Sequence, residues 1–117
     1  MGMFTKFRVL NYLFSENARG KMIAHCLNFD LVASADDLAE AERRLDVVVR
    51  FHIESFIKSD GATGLGGSAP KKKWAEYTKC LRAGNVLPSS TLRINVPEVV
   101  PMEKPYGELD VVAAKAA

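Results

Sequence analysis

The chain has 117 residues, 48% of them hydrophobic and 26% charged, which is the make-up of one globular domain able to bury its own core without a disulfide or a metal. Its formal net charge of +2 excludes the strong electrostatic footprint of a general nucleic-acid or membrane-surface binder. Cys26 and Cys80 are the only cysteines, which excludes a disulfide-rich secreted scaffold; reduced thiols and a cytoplasmic location are expected.

No stretch approaches the roughly 18 apolar residues of a membrane-spanning helix. The first residues lack a basic region followed by an apolar run, so no secretion signal is expected. Thr5 to Phe14 reads as a strand, with Lys6 and Arg8 on one face and Phe7 and Val9 on the other. Ser15 to Gly20 is a turn cluster, and Lys21 to Leu27 is a second strand completing a hairpin. Asn28-Phe29-Asp30 links it to a short third strand, Leu31 to Ser34.

The next element is a helix from about Leu38 to Lys58. Asp37 can cap it, because a carboxylate accepts hydrogen bonds from unpaired donors of the first turn, and Glu40 stands at the capping-box position. Leu38, Ala41, Leu45, Val48, Val49, His52 and Phe56 recur at three- and four-residue spacing and form the expected core stripe. Glu40, Arg43, Arg44, Arg50, Glu54 and Lys58 lie mostly opposite. Val47 and Phe51, one turn apart, break that order by falling on the polar side.

Gly61 to Ala69 is a Gly/Ala/Ser loop, read as a flexible linker; it has the glycine spacing of a P-loop but not the lysine, and it comes after a helix rather than a strand. Pro70 suits the first turn of a second helix, in which Trp74, Tyr77 and Leu81 share a face and which ends near Gly84. Thr91 to Val96 alternates as a fourth strand. Pro97, Pro101 and Pro105 punctuate the C-terminal segment, so residues 97–117 are expected to be a tail that forms neither a continuous helix nor a central strand. The expected architecture is therefore α+β: an antiparallel sheet with one long helix across it, in the order strand, strand, strand, helix, helix, strand, within residues 1–96.

The run Lys21-Met22-Ile23-Ala24-His25-Cys26-Leu27 with Leu31 to Ser34, then Asp36-Asp37-Leu38-Ala39-Glu40-Ala41 and then Leu45, Val49 and Phe51, resembles the HicB-like antitoxins over about residues 5–57. Ala35 and Asp37 stand where that family usually has Gly and Thr. The resemblance implies a three-stranded antiparallel sheet, a long helix across it and a further strand, without catalytic acids. It also implies self-association, as a homodimer or higher homo-oligomer, and neutralisation of a small basic RNA-cleaving toxin; an orphan homo-oligomeric domain without a toxin is an alternative. The family's frequent C-terminal DNA-binding module finds no counterpart in this proline-punctuated tail.

Three groups of residues bear on function. Val47 and Phe51, with Asp36 and Asp37, are the candidates for binding a partner protein; Glu16 and Asp30 would extend an acidic face. Val47 and Phe51 are equally compatible with cover by residues 97–112 or by the Trp74 helix. Lys71, Lys72, Lys73 and Trp74 carry the alternative, a nucleic-acid-binding module in which an aromatic ring stacks on a base. His25, Cys26, His52 and Cys80 lack metal-ligand spacing, and adjacent strand residues such as His25 and Cys26 point to opposite faces. Neither a cofactor nor a metal is expected, nor is enzymatic activity; an enzyme would need a pocket uniting at least two of His25, Cys26 and His52.

Overall fold

The computed structural model describes residues 9–95 and 106–116. Alternation of side chains sets the first strand, β1 (Val9–Glu16): Leu10, Tyr12 and Phe14 are buried on one face, Leu13 on the other. Asn17 closes the adjoining turn by accepting hydrogen bonds from the Arg19 and Lys21 N–H groups. β2 (Met22–Cys26) and β3 (Leu31–Ala35) then add antiparallel neighbours, pairing Tyr12 with Cys26 and Ala24 with Ala33. Asp30 turns the β2–β3 link with φ of +56°, and its carboxylate accepts from His25 Nε2 at 2.6 Å.

Helix α1 (Leu38–Lys58) begins where the cap predicts: Asp37 is extended and its side chain accepts from the Glu40 N–H. Ala41, Leu45, Val49 and Ile53 are its buried residues. Val48, expected in that stripe, is 38% exposed, and Ile53 takes the core position instead. Helix α2 (Lys71–Arg82) starts directly after Pro70, which makes no side-chain cap, and is followed by Ala83 and then Gly84, which adopts φ of +82° as a left-handed helix stop.

β4 (Ser90–Asn95) and β5 (Tyr106–Lys115) complete a five-stranded sheet in the order β3-β2-β1-β5-β4, curled as a half-barrel. This corrects two expectations. The sheet is mixed, because β5 runs parallel to β1, with Val9 opposite Asp110 and Phe14 opposite Lys115. Residues 106–115 are also a central strand rather than a tail: all three prolines of this segment precede them, so each β5 residue keeps its N–H for the ladders to β1 and β4. The expected strand residues Thr5–Arg8 and Val96 lie outside the described residues, as do 97–105 of the expected tail.

Three layers result. α1 covers one sheet face, over Leu10, Tyr12, Phe14, Ala24, Cys26, Leu92, Ile94, Leu109, Val111 and Ala113. α2 covers part of the opposite face, where Tyr77 and Cys80 pack with Leu13, Leu27 and Ala114. The Gly-rich segment between the helices is pinned rather than free. Leu65 packs against the first core, His52 Nε2 lies 2.8 Å from the Leu65 carbonyl, and the Ala69 N–H and Ser68 hydroxyl both donate to the Leu27 carbonyl.

Candidate functional site

α1 is amphipathic because its sequence interleaves two periodic sets. The core set anchors the helix, and polar residues at its flanks tie it to the sheet. Tyr12 donates to Asp46 at 2.8 Å, Arg50 Nε donates to the Arg93 carbonyl at 3.1 Å, and Arg44 Nη1 donates to the Ser34 carbonyl at 2.8 Å. What remains is an outward face. On it Val47 is 52% exposed, Val48 38% and Phe51 73%. Neither α2 nor β5 covers them: α2 packs on the opposite face of the sheet, and β5 lies in the sheet beneath the buried side of α1, while residues 97–105 of the expected cover lie outside the described residues. Three adjoining apolar side chains, one a phenylalanine, stand in water amid charges. Glu40 is ion-paired to Arg43 and, at 3.1 Å, to Arg44.

Asp36 and Asp37 lie at the β3–α1 junction, more than two helical turns from Val47. Both are engaged: Asp37 caps α1, and Asp36 pairs with Lys21 at 2.6 Å. That ammonium, and after it the charge of Arg44, holds the Asp36 carboxyl below its ordinary range. Asp30, the other acidic candidate on a turn, is held by His25. The outward patch is therefore carried by Val47 and Phe51, joined by Val48, with the acidic pair at one end of the helix rather than in the patch.

The lysine-rich segment is arranged differently from a base-stacking platform. The Trp74 indole N–H donates to Ser68 Oγ at 2.7 Å, its ring meets Tyr77 edge-on at 6.1 Å, and it packs against the second core. The Tyr77 hydroxyl, with its single proton, lies 3.0 Å from two acceptors, Asn11 Oδ1 and the Val112 carbonyl. Lys73 pairs with Glu76 at 3.4 Å, while Lys71 and Lys72 project into solvent. The tryptophan thus fixes α2 to the sheet, and the lysines remain a solvated fringe.

The histidines and cysteines are dispersed. His25 points to the face opposite α1 and Cys26 into the core beneath α1. Burial pushes the Cys26 thiol up to about 11, so it stays protonated and poorly nucleophilic at neutral pH. His52 tilts against Phe29 at 5.3 Å and uses Nε2 on the loop carbonyl. Cys80 lines an open depression of about 290 Å³ with Glu76, Lys79, Ala83, Asn85 and Ala116, without a histidine. Among the described residues, no group of three or more His, Cys, Asp or Glu converges as a metal site would. No helix among them is long and apolar enough to cross a membrane.

Helical spacing singles out Val47 and Phe51, but it places Val48 in the core. A finer signal distinguishes them: Val48 lies between the buried and outward stripes of an ideal helix, and Ile53 completes the buried one. Comparison of the chain with family models, characterised proteins and solved structures finds no match.

Proposed function

We propose that this chain is a non-enzymatic protein-binding domain that associates through the outer face of α1. The observation that carries this reading is the exposure of Val47, Val48 and Phe51 side by side on a helix otherwise presenting charge. A large exposed aromatic ring costs solubility, and its burial against a partner supplies the area-dependent gain that drives association.

A more specific form is supported by the resemblance of about residues 5–57 to the HicB-like antitoxins. In that form the domain neutralises a small basic RNA-cleaving toxin by occluding it. The order of three antiparallel strands and then a long helix accords with what that resemblance implies. Asp36 and Asp37 would add charge complementarity at the helix start.

The test is affinity capture of the tagged protein from its native extract, with mass spectrometry of the captured material, in the wild type and in Phe51→Glu. A protein recovered in stoichiometric amount by the wild type and lost by the variant is the expected result. If that protein is small and basic, the antitoxin form stands. Recovery of nucleic acid alone, released by moderate salt, would instead transfer the function to Lys71, Lys72 and Lys73.

A further inference from the structure

The outward residues of α1 carry a second pattern. Glu40, Arg44, Val47, Phe51, Glu54 and Lys58 recur at alternating spacings of four and three, the seam of a coiled coil. Val47 and Phe51 stand exposed on the side of α1 away from Ala41, Leu45, Val49 and Ile53, which hold it to the sheet, while Glu40 and Glu54 are half-buried and Arg44 reaches from the flank to the Ser34 carbonyl. The seam is apolar at its centre and charged toward both ends.

Its order is also self-complementary. Val47 and Phe51 are equally distant from Val49 in sequence, as are Arg44 and Glu54, and Glu40 and Lys58. When two such helices lie antiparallel about a twofold axis at the level of Val49, every layer matches. Val47 of one copy meets Phe51 of the other, in two central apolar layers. Arg44 faces Glu54 in the next layers, and Glu40 faces Lys58 in the outermost. A parallel pairing would set each charge against its own kind. A twofold axis requires this property of a helix that packs on itself.

We infer that the partner seated on the outer face of α1 is a second copy of this chain, packed antiparallel along the Glu40–Lys58 seam. The inference rests on the reading of this face as protein-binding and names its occupant. Within the monomer Glu40 and the Ser34 carbonyl take the Nε and Nη1 of Arg44, so in the dimer Arg44 meets Glu54 of the other copy through Nη2. One helix of 21 residues per copy makes an interface at the low end of specific contacts, under about 1,200 Å² in total, the size class of weak and reversible association.

The experiment is sedimentation equilibrium of the purified full chain over a concentration series, with four variants. The wild type is expected to dimerise reversibly, and Phe51→Glu to weaken the dimer at least about tenfold, since the ring occurs twice at the centre. Arg44→Glu and Glu54→Arg each place like charges in two layers, so each alone is expected to dimerise more weakly than the wild type. Mixed in equal amounts, these two variants are expected to regain association, because every layer of the mixed pair is again complementary. The double variant Arg44→Glu with Glu54→Arg is expected to dimerise on its own. Misfolding of a single variant would not produce that rescue.

A wild type that stays monomeric throughout overturns the inference. So does a dimer indifferent to Phe51→Glu, or single variants that gain nothing on mixing. None of these results touches the protein-binding reading, which fails separately if affinity capture recovers no protein that Phe51→Glu loses.

Discussion

Asp46 shows how one side chain serves both faces of a boundary. Burial raises its carboxyl above the ordinary range, the Tyr12 hydroxyl opposes that shift, and the charge of Arg50 opposes it further. Tyr12 itself is fully buried, so its hydroxyl depends on this acceptor. Asp46→Ala orphans the hydroxyl and should lower stability by about 1–3 kcal/mol in urea titration, whereas Asp46→Asn keeps an acceptor and should cost less. Glu42 is likewise raised, by burial first and by the charge of Asp46 second. A carboxyl whose folded pKa exceeds its unfolded pKa binds protons more tightly in the folded state. Its contribution is fully present below the unfolded value and is lost as pH rises through the folded one. Glu42→Gln together with Asp46→Asn should therefore flatten the fall in stability on going from about pH 4 toward neutrality, read as urea midpoints against pH. Asp36 and Glu40, both lowered by their basic partners, act with the opposite sign as pH falls.

At the scale of elements, legibility tracks the range of the forces involved. The two helices are readable, since the cap and periodicity of α1 and the left-handed stop beyond α2 are local chemistry. Asp37→Ala removes the hydrogen bond to the Glu40 N–H and should destabilise the protein by about 1 kcal/mol, while Asp37→Ser should nearly preserve it; thermal unfolding distinguishes the two. β5 is not readable. Its alternation, Leu109, Val111 and Ala113 inward, is short, alanine-rich and preceded by prolines, and its place is set by pairing with residues about a hundred positions away. The outward patch is half legible for a related reason. Helical spacing exposes Val47 and Phe51, but whether distant chain covers them is a tertiary matter, as is the anchoring of Trp74 by Ser68.

For the whole molecule, the sheet order makes the first and last strands neighbours at its centre. Leu109 is 1% exposed between α1 and the sheet, and Leu109→Ala should cost about 2–5 kcal/mol in denaturant titration, a core-sized loss that an appended arm would not show. The placement of β5 also bears on time. During synthesis β1 to α2 emerge first, and β1 must then wait with one edge unpaired until residue 115 exists. A pairing across so much sequence is slow to form, and the waiting edge is a template for strands of other chains. The nascent polypeptide is thus most vulnerable to aggregation late in its translation, and slow decoding between β4 and β5 would lengthen that exposure.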